Sequence, residues 1–153
     1  MGLTDRRQTI VLFGDSLTQR SFEPDRGWGA ALAHLYGRRC DVYNRGFGGY
    51  NSTWCRSMLH ELFPLLHPKD ARPLLVTVLL GTNDAALPSA APSASAFVAL
   101  DEYVANLTSI VRHLQRAATH VVVMTPPCMD EHQRLRYQVC ALNPNLTTVS
   151  PGP

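Results

Sequence analysis

Residues 11–19 read VLFGDSLTQ, a short apolar run that ends in a Gly-Asp-Ser corner and leads into a polar segment able to begin a helix. This order predicts a buried strand with the hydroxyl of Ser16 at its C-terminal end, where open α/β sheets place their ligands. The first turn of a helix there offers unpaired N–H groups that suit an oxygen anion forming on an ester carbonyl. Ser16 is therefore the candidate nucleophile, although Gly-Asp-Ser is also common turn and cap chemistry.

The composition is that of a single globular domain. The chain has 153 residues, of which 45% are hydrophobic and 17% are charged, enough to bury a core. Its net charge is +2, and the arginines are scattered along the chain, so nucleic acid is not an expected partner. Residues 1–8 are polar and no apolar run approaches membrane-spanning length, which predicts a cytoplasmic protein without a membrane span. The 4 cysteines lack metal-site spacing and are expected to be free thiols.

Beyond the opening stretch, strand-like and helix-like segments alternate along the chain. Strands are predicted at 9–13, 40–44, 73–80 and 120–124, and helices at 28–36, 54–66 and 100–118. This alternation implies a parallel sheet joined by right-handed crossovers. We expect one α/β domain over residues 9–140, with a flexible excursion at 85–96 near the mouth of the site. Residues 141–153 carry little apolar pattern and are predicted to form a disordered tail.

Each of the first three predicted strands is followed by a loop with a distinctive group: Ser16, then Gly48-Gly49, then Asn83. Loops that follow parallel strands open on the same edge of the sheet. Acyl transfer needs a nucleophile and donors for the oxyanion, which Ser16, the N–H of Gly49 and the amide of Asn83 would supply. Taken separately, Gly49 is read more simply as a plain turn, and Asn83 as an Asx turn in which Asp84 caps a helix. The three groups in this order, each after a strand, favour the common site instead.

These motifs carry a family resemblance. Residues 14–17 (GDSL), 44–51 (NRGFGGYN) and 81–84 (GTND) resemble the first three sequence blocks of the SGNH, or GDSL, hydrolases. Residues 13–19, 27–30 and 40–51 look more narrowly like the isoamyl acetate-hydrolysing esterase branch. The resemblance implies a flavodoxin-like α/β/α sandwich and a cofactor-free esterase acting on small acyl esters. It also implies that Ser16 is the nucleophile and that Gly49 and Asn83 complete the oxyanion hole.

The chain departs from this family's pattern in one respect. The family places its catalytic His and its partner Asp in a final Asp-x-x-His block, which this sequence lacks. His132, which follows the fourth predicted strand beside Asp130 and Glu131, could reach this edge as a substitute base, but the pattern favours an exposed residue at a helix start. His113 and His120 are expected to have structural or surface roles. The family's last strand and helix are expected to be missing, which would leave the strand at 120–124 as an exposed apolar edge.

Two functional hypotheses follow. The first is a GDSL-type esterase hydrolysing acetyl or short-acyl esters. The second is a catalytically impaired truncated isoform or pseudoenzyme, either an unstable fragment or a protein that binds a partner through the uncovered sheet edge. A flavodoxin-like nucleotide binder is disfavoured because the sequence contains no phosphate loop of the GxGxxG or GxxxxGK[ST] kind.

Overall fold

A computed structural model describes residues 7–24, 27–65, 72–87, 93–128 and 130. The strands are β1 (Gln8–Gly14), β2 (Cys40–Gly46), β3 (Leu75–Leu79) and β4 (His120–Met124). The helices are α1 (Ser16–Gln19), α2 (Trp28–Tyr36), α3 (Ser52–Ser57), α4 (Leu59–Leu62) and α5 (Leu100–Ala117), with 3-10 turns at Arg20–Phe22 and Ser93–Ala96. The predicted strands and the helices at 28–36 and 100–118 are confirmed to within a few residues.

The strands form one parallel sheet in the order β2-β1-β3-β4. The strand register places the ends of neighbouring strands side by side, because Gly14 at the end of β1 lies opposite both Gly46 of β2 and Leu79 of β3. Leu79 in turn lies opposite Met124 of β4. All four strands therefore end at one edge of the sheet.

Each face of the sheet carries its own apolar core, which confirms the expected α/β architecture. Along β1, successive side chains point to opposite faces. Val11 and Phe13 join a cluster with residues of α3, α4 and α5, including Ile110, whereas Ile10 and Leu12 pack with residues of α2, including Leu32. Helices thus cover both faces of the sheet, as in a three-layer sandwich.

The single helix predicted over 54–66 is wrong, since the structure has the two shorter helices α3 and α4 there. The Asn51 side chain caps α3 by accepting a hydrogen bond from Trp54 N–H at 3.0 Å, so the helix begins before residue 54. At Met58 the backbone N–H bonds to Cys55 O at 3.3 Å, a tighter three-residue spacing that separates the helices. The chain leaves α4 at Phe63, just before Pro64, which has no N–H to donate.

The far edge of the sheet is β4. In the described part of the chain, β4 pairs with β3 along one side, and its Val122 and Val123 side chains are each 46% exposed. The exposed apolar edge expected at 120–124 is therefore present in these ranges.

Several predictions lie outside the described residues. They are His132, the tail at 141–153, and residues 88–92 of the excursion that was expected to be flexible. The described end of that excursion, Ser93–Ala96, forms a 3-10 turn. None of the helices in the described ranges combines the length and the apolar character needed to cross a bilayer.

Candidate active site

The three loops that carry Ser16, Gly49 and Asn83 begin at neighbouring strand ends. Backbone hydrogen bonds join these ends directly: Phe47 N–H donates to Gly14 O at 2.8 Å, and Asp15 N–H donates to Leu79 O at 3.2 Å. The strand order puts β1 between β2 and β3. The Ser16 loop is consequently flanked by the Gly49 loop on one side and by the Asn83 loop on the other.

Ser16 is the first residue of α1 and is partly exposed. Asp15 is the N-cap, with extended backbone, and its Oδ1 accepts a hydrogen bond from Leu17 N–H at 2.9 Å. An N-cap acceptor occupies one of the free donors in the first turn and leaves others available. The Ser16 backbone N–H belongs to this turn, so the residue offers both a hydroxyl and a first-turn N–H at the edge of the sheet.

Contacts from β2 and α2 fix α1 on the end of the sheet. The Asn44 amide donates to Thr18 O and Gln19 O, both at 3.0 Å, and the Trp28 indole N–H donates to Leu17 O at 3.1 Å. Gly46 makes close packing possible, because a Cβ at that position would clash with the Gln19 backbone. A side chain at residue 46 would push away the helix on which Ser16 stands.

Gly49 is an exposed turn residue with φ +80°, a left-handed conformation that L side chains rarely adopt. A Cβ built there meets no protein atom within 4 Å. In this structure the glycine requirement therefore comes from backbone conformation, and the space above the loop is open to an approaching molecule.

Asn83 connects the loops after β2 and β3. Its Nδ2 donates to the carbonyl oxygen of Tyr50, the residue after Gly49, at 2.7 Å. Asp84, which one alternative made a helix cap, lies against the start of a distant helix, α3, whose N-cap is Asn51. Asp84 accepts a hydrogen bond from Ser52 N–H at the start of α3, with Oδ1 at 2.9 Å and Oδ2 at 3.2 Å. The structure thus brings the Gly49 and Asn83 loops together through two separate contacts.

Two buried carboxyl groups lie beneath this edge, Asp15 with 0% and Asp84 with 4% of their surface exposed. Burial raises the pKa of Asp15, and the nearby charge of Asp84 raises it further, while the Leu17 N–H and the Thr82 hydroxyl act in the opposite direction. Burial and the same two carboxylates raise the pKa of Cys55 to about 12. The interior beneath Ser16 is therefore desolvated and favours the protonated forms of Asp15 and Cys55.

The described histidines lie away from Ser16. His120 is the first residue of β4 and His34 is in the last turn of α2, both at the end of the sheet opposite to Ser16. The Nε2–H of His113, near the end of α5, donates to Phe63 O at 2.8 Å, and the ring packs edge to face on His60 with centroids 4.7 Å apart. The structural and surface roles expected for His113 and His120 agree with these positions. His67 and His132 lie outside the described residues.

The sequence analysis missed the part played by Asn106. This side chain, in the middle of α5, is fully buried and donates to Ser52 Oγ at 3.1 Å and to Thr53 Oγ1 at 2.8 Å. The sequence pattern does indicate that Asn106 is buried, because Asn106 lies on the inward face of the predicted helix, one turn from Ile110. A polar residue on an apolar stripe calls for a hydrogen-bond partner. No group of three or more His, Cys, Asp or Glu side chains in the described ranges is arranged to hold a metal ion.

Comparisons with known proteins show the family to which the chain belongs. The profile of the GDSL-like lipase/acylhydrolase family matches residues 12–150. A GDSL esterase/lipase of Arabidopsis thaliana is 44% identical over 133 residues, which are 86% of this chain and 53% of the relative. The isoamyl acetate-hydrolyzing esterase 1 homolog of Bos taurus is 42% identical over 140 residues, covering 88% of this chain and 55% of the relative. This chain therefore spans about half the length of these curated relatives.

Solved structures show the same fold. A catalytic mutant of Axe2, an acetylxylan esterase from Geobacillus stearothermophilus, superposes with a TM-score of 0.61 at 21% identity, covering 88% of this chain and 72% of that one. AlinE4, an SGNH-hydrolase family esterase, gives a TM-score of 0.58 at 25% identity over 88% of this chain and 67% of that one. The profile match and the close relatives together show that this chain belongs to the GDSL-like lipase/acylhydrolase family.

Proposed function

We propose that the protein hydrolyses small carboxylic esters with acetyl or other short acyl groups, with Ser16 as nucleophile and with Gly49 and Asn83 in the oxyanion hole. The observation that carries the proposal is the position of β1 between β2 and β3, so that the Ser16 loop lies between the loops that carry Gly49 and Asn83, the proposed donors. Family membership supports ester hydrolysis as the reaction class.

In the proposed reaction, Ser16 Oγ attacks the acyl carbon, and its proton passes to a general base. The carbonyl oxygen gains negative charge, and the N–H groups of Ser16 and Gly49 and the amide of Asn83 stabilise it. The bond to the alcohol then breaks, the alcohol leaves with a proton, and water releases the acid from the acylated serine.

The Asn83 amide suits this role because it has two N–H donors. One of them is engaged by Tyr50 O at 2.7 Å, which fixes the plane of the amide. The second donor remains for the substrate oxygen. A donor held in place before the reaction needs no reorganisation when the charge develops, and this is the source of most oxyanion stabilisation.

The names of the relatives suggest a substrate. Isoamyl acetate-hydrolyzing esterase homologs are 42% identical in cattle and 40% identical in humans. We accordingly propose acetate esters of short alcohols as the first substrates to test. The sequence names His132 only as a candidate substitute base, so its mutation belongs in the same experiment.

A second candidate function is binding without efficient catalysis. Two observations favour it: the histidines in the described ranges lie away from Ser16, and β4 exposes Val122 and Val123 at the edge of the sheet. An enzyme that has lost a triad member keeps a rate acceleration of about 10³- to 10⁴-fold over the uncatalysed reaction, which comes from the oxyanion hole and substrate binding alone. The two candidates therefore differ by orders of magnitude in turnover.

The test is hydrolysis of 4-nitrophenyl acetate by the purified chain, Ser16→Ala and His132→Ala. Ser57→Ala is the matched control, since Ser57 is an exposed serine that bonds to Trp54 O. The proposal expects release above buffer that disappears in Ser16→Ala, persists in Ser57→Ala, and is accompanied by fluorophosphonate labelling of Ser16. Equal rates for the wild type and Ser16→Ala, without labelling, would reject the esterase proposal and favour the binding candidate.

A further inference from the structure

Asp84 follows Asn83 directly in sequence but faces a different element. Both of its carboxylate oxygens lie within 3.2 Å of the backbone nitrogen of Ser52, the first residue of α3. Ser52 comes shortly after Gly49 and is fully buried. This contact joins the chain next to one proposed oxyanion donor to the chain next to the other.

Ser52 is held from its other side by α5. The amide of Asn106 donates to Ser52 Oγ at 3.1 Å and to Thr53 Oγ1 at 2.8 Å, and the Thr53 hydroxyl donates to Glu102 Oε1 at 3.0 Å. Asn106 has no exposed surface. The start of α3 is thus fixed between the loop after β3 and the middle of the longest helix.

Burying the Asp84 carboxyl group lowers the stability of the folded protein, which indicates that the contact serves another purpose. Asp84 is 4% exposed, and among the described residues no lysine or arginine forms an ion pair with it. Burying a carboxylate without a cation costs more than burying an apolar side chain of similar size. A geometric role at the neighbouring site accounts for a buried carboxyl group at this position better than packing does.

Building on the proposed function, we propose that Asp84 is a positioning residue that sets the separation between the Gly49 N–H and the Asn83 amide through its hydrogen bond to Ser52, with Asn106 holding Ser52 from behind. We call this set of three residues the Asp84–Ser52–Asn106 clamp. The bond from Asn83 to Tyr50 O aligns the amide itself, and the clamp holds the two loops at the distance that this bond requires. Misplacing catalytic donors by about 1 Å can cost on the order of 10²-fold in rate.

The proposal is tested with Asp84→Ala, Asp84→Asn and Asn106→Ala, with Asp101→Asn as the matched control at an exposed carboxyl of α5. We expect Asp84→Ala to lower kcat for 4-nitrophenyl acetate by about 10²-fold, with KM changed by less than about threefold. Asp84→Asn keeps an oxygen that accepts from Ser52 N–H and should recover most of that loss. Asn106→Ala, which leaves the Asp84 contact in place, should give a smaller loss than Asp84→Ala.

A second measurement does not depend on turnover. Amide hydrogen exchange should speed up at Ser52 and in the Gly48-Gly49 turn in Asp84→Ala and in Asn106→Ala, but not in Asp101→Asn. This readout distinguishes failure of the clamp from failure of the esterase proposal, which the Ser16→Ala comparison decides. If Asp84→Ala does not fold, Asp84→Asn and Asn106→Ala decide by the same two measurements.

A folded Asp84→Ala protein with unchanged exchange in the Gly48-Gly49 turn would overturn the clamp. A second outcome would also overturn the clamp. In it, Asp84→Asn loses as much kcat as Asp84→Ala, although amide exchange at Ser52 in Asp84→Asn stays at the wild-type rate. In that event the charge of Asp84, and not its hydrogen bond, would be what the site requires.

Discussion

The side-chain amide of Asn83 donates to the backbone carbonyl of Tyr50 at 2.7 Å, a short hydrogen bond between loops that follow two different strands. Because Tyr50 is adjacent to Gly49, this bond couples the orientation of one proposed oxyanion donor to the backbone of the other. The two loops lie on either side of the Ser16 loop, since β1 is between β2 and β3.

Asn83→Ala removes both the bond to Tyr50 and the proposed donor to the substrate. We expect kcat for an aryl acetate to fall by about 10²- to 10³-fold, the range found when one oxyanion donor is lost. Steady-state kinetics measures this, with Gln115→Ala, an exposed amide on α5, as the control. An Asn83→Ala enzyme with wild-type kcat would remove Asn83 from the oxyanion hole.

Gly49→Ala tests the left-handed backbone of the turn. The new Cβ meets no protein atom within 4 Å, so the cost comes from holding φ near +80° and should be about 1 to 2 kcal/mol in the free energy of unfolding. Urea denaturation measures the loss. Gly37→Ala is the control because Gly37 has φ −55° and carries no such conformational penalty. Equal stability of the two variants would show that the turn relaxes freely.

Asp15 predicts a pH dependence of stability with a defined sign. Burial raises the pKa of Asp15 in the folded protein above the ordinary value of an aspartate, so the folded state holds this proton more tightly than the unfolded state. The stability it contributes is complete below the unfolded pKa and is lost as pH rises through the folded pKa. Asp15→Asn keeps an oxygen for Leu17 N–H and removes the titration.

The stability of Asp15→Asn relative to the wild type should therefore increase as the pH rises above about 4, the ordinary aspartate pKa. Unfolding by urea at a series of pH values measures this difference, with Asp101→Asn as an exposed control. A difference between Asp15→Asn and the wild type that stays constant with pH would contradict a raised pKa for Asp15.

Cys55 is expected to be unreactive in the folded protein. Burial, reinforced by the charges of Asp15 and Asp84, raises the pKa of its thiol to about 12, so little thiolate forms at pH 8. Cys128 is exposed and should be alkylated by iodoacetamide under these conditions. Peptide mapping by mass spectrometry should show Cys128 modified first and Cys55 modified only with denaturant. Equal labelling of the two in the folded protein would contradict the buried environment of Cys55.

Much of the fold follows from local sequence pattern. The short apolar runs that end at Gly14 and Leu80, and the regular spacing of apolar residues along α5, predict strands and a helix that the structure confirms. The same patterns predict that Ser16, Gly49 and Asn83 follow strand ends, because parallel strands joined by crossovers must end at one edge. These features depend on backbone periodicity over a few residues.

Other features arise only when distant segments pack together. The sequence predicts one helix over 54–66, but the Asn51 cap and the tighter bonding at Met58 divide it. It predicts Asp84 as a cap without indicating which helix start it binds, because Ser52 is far away in the chain. The amphipathic pattern of α5 marks Asn106 as an inward residue but does not indicate its partners.

The sequence by itself therefore determined the order of the elements, the parallel sheet and the three loops that meet at its edge. The tertiary structure decided how those loops are held, through the Asn83 bond to Tyr50 and the contacts of Asp84 and Asn106 with Ser52. The physical reason is that secondary structure depends on contacts close in sequence, whereas these hydrogen bonds join residues far apart in sequence. Strand and helix formation follows from neighbours a few residues apart, whereas a buried polar side chain finds its partner only after the sheet and α5 have brought distant backbone groups within hydrogen-bond distance.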